Sequence, residues 1–232
     1  MVRFFDVDRS DAKKHAAETA TASLCNYLTD EIKSRGDALG DDLLSVLIRA
    51  ERTREITETE LIATALLILA AGHGSTIDVI GTGMANLLGH PDQWQALKND
   101  QALIPSAIQE LFRCETPLPF FHRYVSEPIE IRGQSFKQGD KIGLLYGSAN
   151  RDPTFIEHPA RFDILRPKPR HLAFGRGAHL CLGNHLARLN MEVIFRTLIE
   201  KTKDIQLTED TLHYRPGLST RGLTKLPLVI SG

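Results

Sequence analysis

The chain has 232 residues, 42% of them apolar and 25% charged. That excludes a disordered, collagenous or coiled-coil polypeptide, and the length suffices to bury a core without a metal or disulfide staple. The 28 basic and 29 acidic residues leave a net charge of −1, without the basic excess of a nucleic-acid protein, so no nucleic-acid partner is expected.

Residues 1–10 carry Arg3, Asp6, Asp8 and Arg9 and no apolar run, so no signal peptide is expected there. Residues 11–35 form an amphipathic helix pattern, with Ser10 able to cap its start and Gly36 to stop it. Ala17, Ala20, Leu24, Leu28 and Ile32 make its apolar stripe. A Gly/Asp turn leads to a second helical piece at 43–50. Thr57 and Glu60 make a capping box that opens a long helical pattern running to about Leu88. Residues 61–71 are its longest apolar run, too short for a membrane span and expected to be buried. The run meets Ala71, Gly72, His73, Gly74, Ser75 and Thr76. Each glycine costs roughly 1 kcal/mol relative to Ala, so the helix is expected to be weak at mid-length, where kinks and ligand openings occur. His73 is expected to be a buried helix histidine.

Pro91 suits the first turn of a short helix through Lys98, and another runs from about Ser106 to Cys114. Pro117 and Pro119 end the helical half. Short alternating runs at 121–125, 129–132 and 141–145, divided by Gly133 and Gly139, predict hairpin strands. Residues 150–180 form a long irregular segment, a length that is usually functional. A helix follows at 182–203, and short strands close the chain, 226–230 the clearest.

Cys25, Cys114 and Cys181 lie far apart and form no CxxC pair, so they give no disulfide framework and suit a reducing cytoplasm. Cys181 ends a glycine-dense loop just before a long helix. Amides at a helix start favour a thiolate, and Gly175, Gly177 and Gly183 let the backbone approach a flat ligand. A thiolate so placed can be an axial ligand of haem iron. The residue types also allow a small buried cysteine, a zinc site from His179, Cys181 and His185, or a phosphate loop, although zinc spacing and both phosphate-loop patterns are absent.

Phe174, Gly177, Cys181 and Gly183, at the spacing FxxGxxxCxG, resemble the haem-binding signature of cytochrome P450. The resemblance implies that Cys181 is the proximal thiolate and metal ligand. Phe174, Gly175 and Gly183 then shape the cofactor loop, and His179 lies where the family places a basic group for a haem propionate. Glu110 and Arg113 look like the ExxR motif, Arg161 matches the arginine that completes the Glu-Arg-Arg network, and Arg123 matches a propionate-binding arginine. Residues 71–76 resemble the oxygen-binding groove, with Ser75 and Thr76 as the catalytic hydroxyls. Gly74 stands in place of the acid. Asp78, one turn on, shares a helix face with Gly74.

The fold class implied is mainly α with a minor β portion, a truncated cytochrome P450 fold lacking the amino-terminal helices and first strands. It is expected as one domain over 1–232: helical at 9–115, β-rich at 119–147, ligand loop and following helix at 150–203, and C-terminal strands at 205–231. The implied function is a haem-thiolate monooxygenase. It would insert one oxygen atom from O₂ into a small organic substrate, with electrons from a ferredoxin-type partner. The alternative is a truncated relative that binds haem or a protein partner without turnover. A homodimer or second polypeptide would cover the missing part. Leu69, Ala71 and Phe120 are the pocket-wall candidates, and a cytoplasmic protein without a membrane span is expected.

Overall fold

The computed structural model describes residues 10–167, 169–209 and 211–232. Residues 1–9, on which the signal-peptide expectation rests, lie outside them. The chain divides into two compact units, up to Gly74 and from Ser75 on.

In the first unit, α1 (Asp11–Arg35) starts where the Ser10 carbonyl accepts the Lys14 amide at 3.0 Å and stops at Gly36, whose φ is 47°. Its apolar stripe is narrower than expected: Ala17 and Leu28 are buried, and Ala20 is exposed. Arg35 reaches back to Glu31 at 3.0 Å and forward to Asp42 at 2.6 Å. Asp42 caps α2 (Leu43–Arg52) by accepting the Ser45 amide at 3.0 Å. That amide and Arg35 hold the Asp42 carboxyl down to about 2.

The capping box before α3 (Glu58–Leu88) forms as expected. The Thr57 amide donates to Glu60 at 2.8 Å and the Glu60 amide to the Thr57 hydroxyl at 3.2 Å. The helix runs unbroken through Gly72 and Gly74, because propagation over 31 residues outweighs two isolated glycines. The expected burial of 61–71 is corrected. Leu61 is buried, but Leu67 is 66% exposed and Leu69 48%, and His73 is exposed too. Periodicity shows only that a face is apolar; burial needs a partner, and this run is covered only in part. The apolar run itself is short, while α3 as a whole is long and apolar enough to cross a membrane by length and composition alone.

The second unit is built on the last turns of α3, α4 (Pro91–Asn99), α5 (Ile104–Cys114) and α7 (Asn184–Lys201). Leu87, Leu97, Leu111, Phe112, Met191 and Phe195 are sealed between them, each worth about 1.5–3 kcal/mol of burial. α3 lies so close to its neighbours at Gly83 that a Cβ there would meet Leu111 at 3.3 Å and Met191 at 3.6 Å.

Among the described residues, three antiparallel strand pairs and an isolated Tyr214–Leu223 bridge make up the β portion. β1 (Phe121–Tyr124) pairs with β4 (Lys141–Leu144), setting Arg123 opposite Ile142. β2 (Ile129–Ile131) and β3 (Gln134–Phe136) form a tight hairpin. Its turn residues Arg132 and Gly133 both have positive φ, 49° and 78°, as a two-residue hairpin turn requires. β5 (Asp204–Leu207) pairs with β6 (Leu228–Ser231). A single-turn helix, α6 (Tyr146–Ala149), follows β4 and has no sequence signal. The described residues between 150 and 183 are irregular apart from a 3₁₀ turn at Gly177–His179.

Candidate functional site: a cysteine loop on a buried charge network

Glu110 and Arg113 are three residues apart on α5, so both project from the same side of it. Neither is exposed at all, and two hydrogen bonds of 2.7 Å join them. Burial disfavours the Arg113 cation, but the bonds and charge of Glu110 together with Cys114 outweigh it and push its pKa up. Arg113 also donates to the carbonyls of Asn150 at 3.0 Å, Pro159 at 2.8 Å and Arg161 at 2.9 Å. One guanidinium thus gathers two distant segments onto α5.

Arg161 does not complete this network. Its side chain is 69% exposed and faces Asp163 at 3.6 Å. The completing arginine is Arg166, 14% exposed, whose Nε donates to Glu110 at 3.2 Å. The local turn explains the exchange. Asp163 accepts the amides of Leu165 and Arg166 at 3.0 Å each, and the chain reverses so that position 166 points back. Arg161 contributes its carbonyl instead, which accepts from both Arg113 and Arg166. That Asx turn was the available signal for Arg166.

The cysteine loop leans on this platform. Phe174 packs against Phe112 of α5 with ring centroids 4.4 Å apart, and the Arg188 guanidinium of α7 lies over the Phe174 ring, 4.4 Å from its centroid. The Phe174 carbonyl accepts the Cys181 amide at 2.9 Å, closing the loop. Within it Gly175 and Gly177 have φ of 67° and 73°, values a side chain tolerates poorly. A Cβ on Gly175 would press on the His179 carbonyl at 3.4 Å. Gly183 differs from these two: its φ is −84° and no protein atom lies within 4 Å of the place its Cβ would take. The Cys181 carbonyl accepts the Asn184 side chain at 2.7 Å, tying the loop to the start of α7. The Cys181 thiol side is exposed, as is His179. Leu180 and Leu182 beside it are 55% and 85% exposed.

The structure thus brings Phe174, Gly175, His179 and Cys181 into one loop. Arg123 stands apart on β1, half-buried, and bonds the His122 carbonyl at 2.9 Å. Ser75 and Thr76 are half-buried on α3. Asp78 is 2% exposed and ion-paired with Arg215. Burial pushes its carboxyl up while Arg215 opposes the shift, and its second oxygen has no partner. Phe120 lines a cleft of about 560 Å³ with Pro119, Leu145 and Leu218, whereas Ala71 is exposed, like Leu69. Among the described residues no cluster of three or more His, Cys, Asp or Glu could hold a metal ion.

The family model for cytochrome P450 matches residues 2–205. The chain belongs to the cytochrome P450 family. Cytochrome P450 107B1 of Saccharopolyspora erythraea is 38% identical over 94% of this chain and 55% of its own length. The biotin biosynthesis cytochrome P450 of Bacillus subtilis is 33% identical over 98% of this chain and 58% of its own. The solved structure of P450BioI with hexadec-9Z-enoic acid ligated acyl carrier protein superposes with a TM-score of 0.93 at 33% identity, covering 99% of this chain and 59% of that one. The fold is therefore the P450 fold expected from the sequence, and the cofactor of the family is haem. The P450 chain described here spans a little over half the length of the curated relatives it matches.

Proposed function

We propose that this chain is the haem-seating portion of a P450 monooxygenase, with Cys181 as the thiolate ligand. The observation that carries the reading is an exposed cysteine on a closed, glycine-turned loop, backed by the fully buried Glu110–Arg113 pair and its partner Arg166. These residues fit haem. The thiol is accessible, exposed Leu180 and Leu182 offer apolar surface beside it, and the positive-φ glycines keep side chains off the loop. Haem held there supplies one-electron and O₂ chemistry, with the thiolate favouring O–O cleavage. Arg123 and His179 supply donors for its propionates. Ser75 and Thr76 supply the hydroxyls that handle protons on α3, and Phe120 borders the place of a small organic substrate.

A ferredoxin-type electron donor suits the cysteine side of the molecule. Between Asp163 and Glu192 the sequence has no acid, and exposed Arg170 and Arg176 lie near the ligand loop. A fixed cationic patch steers an acidic partner. Exposed Leu186, Leu189 and Val193 on α7 suit a second copy or a second polypeptide as cover. A stable monomer in light scattering at high concentration would remove that part of the reading. The three free cysteines support a cytoplasmic location.

A second reading, haem or partner binding without turnover, is favoured by one feature. Gly74 replaces the acid on α3, and Asp78 is committed to Arg215, so it cannot take over. The deciding experiment is the absorption spectrum of the haem-supplemented chain, reduced and exposed to CO. A strongly red-shifted, thiolate-type Soret band that is lost in Cys181→Ala is expected. An imidazole-type band, or a band unchanged by Cys181→Ala, refutes the assignment. Gly74→Glu then separates the two readings by whether product per electron consumed rises.

A further inference from the structure

His171 is a mostly buried ring that sequence reasoning did not single out. Its Nδ1 lies 3.2 Å from the Ala173 amide nitrogen. An amide can only donate, so Nδ1 carries no proton. The neutral ring then bears its hydrogen on Nε2, which faces Gln109 Oε1 of α5 at 3.0 Å. The backbone thereby fixes the tautomer, and Gln109 must present its oxygen whichever way its amide was first drawn. The ring lies nearly parallel to Phe112 at 6.0 Å and 5.7 Å from Phe174.

Three consecutive residues are gripped in turn. The Leu172 amide donates to Asn150 Oδ1 at 2.6 Å, the Ala173 amide donates to His171, and the Phe174 carbonyl accepts the Cys181 amide. Both side-chain acceptors are oriented by a second bond: Asn150 donates to Thr116 at 2.8 Å and His171 to Gln109. The charged groups around the ring are Arg188 from α7 and Arg113 and Glu110 from α5. Burial and the two arginines hold the ring's pKa down to about 4. An imidazolium would set an N–H against the Ala173 N–H, so this grip works only with the neutral ring.

We propose that His171 is a positioning residue for Cys181, a neutral clamp that transmits the rigidity of α5 to the ligand loop through the Ala173 amide and Phe174. The role in ligation rests on the reading of Cys181 as the haem thiolate; the clamp itself is testable without haem. The test is amide hydrogen exchange, read segment by segment in the full chain, on His171→Phe and His171→Asn. Phenylalanine keeps the ring shape and loses both bonds. Asparagine can return an acceptor to the Ala173 amide. In His171→Phe, residues 172–181 should exchange about tenfold faster, the effect of one net hydrogen bond, while residues 104–114 keep their protection. His171→Asn should recover most of the difference. Unchanged exchange in 172–181, or equal acceleration in both segments, overturns the clamp. If His171→Phe does not fold, Gln109→Leu, which removes only the ring's acceptor, is read by the same comparison and the same criteria. The reduced CO spectrum of the wild-type chain is recorded in parallel. A missing thiolate band there sinks the ligand assignment and leaves the exchange result standing, so the two failures are distinguishable.

Discussion

Arg166→Ala removes the Nε donor 3.2 Å from Glu110 and the bonds to the carbonyls of Glu157, His158 and Arg161. Glu110 keeps Arg113 and the Asp163 amide, so its charge is weakened in support rather than abandoned. A hydrogen bond to a charged group contributes roughly 1.5–3 kcal/mol, and full abandonment of a buried charge costs about 3–5 kcal/mol. The expected loss is therefore about 2–4 kcal/mol. Arg161→Ala removes a side chain that is 69% exposed, in an ion pair of 3.6 Å, and should cost under about 1 kcal/mol. Trp94 is the single tryptophan, is 5% exposed and lies on α4 in the same unit, so its fluorescence reports the relevant core. With a urea slope of roughly 2 kcal/mol per molar, the midpoint should fall by about 1–2 M for Arg166→Ala and by less than about 0.5 M for Arg161→Ala. Equal losses, or a larger loss for Arg161→Ala, refute the assignment of Arg166 to the network.

A Cβ on Gly222 would collide with the Asp78 carboxylate and the Arg215 guanidinium, so Gly222→Ala should cost about 2 kcal/mol or more in the same urea assay, and an unchanged midpoint would show that this pair yields without strain. The folded His171 has its pKa lowered from 6.5 to about 4. The unfolded chain therefore binds more protons in that window, and the stability His171 contributes is present above about pH 6.5 and lost as pH falls toward 4. His171→Phe should flatten the pH dependence of the midpoint there, and an unaltered slope counts against the buried neutral ring. Burial pushes the Cys114 thiol up to about 12, whereas Cys181 is exposed. Iodoacetamide near about pH 8 should therefore label Cys181 in the native chain and Cys114 only after unfolding, and comparable native labelling of the two would contradict the burial.

The sequence by itself determined the elements whose signals are local. The bounds of α1, the Thr57–Glu60 box and the start of α4 follow from caps, prolines and glycines acting within a few residues, whereas α5 begins two residues before the expected Ser106 and β3 has no counterpart among the expected strands. It also determined the family, because FxxGxxxCxG and ExxR are spacings that a linear reading can see. Tertiary structure decided what depends on which surfaces meet. Whether Leu67 and Leu69 are covered, whether Asp78 is free, and whether Arg161 or Arg166 reaches Glu110 are all settled by partners distant in sequence or by a turn that reverses the chain. The same holds for His171. Its Gln109 partner lies 62 positions away, and only folding brings the two within hydrogen-bond reach. Periodicity marks a face as apolar and spacing marks a pair as adjacent. The burial that gives either its energy comes from the rest of the chain, because desolvation depends on every neighbour at once.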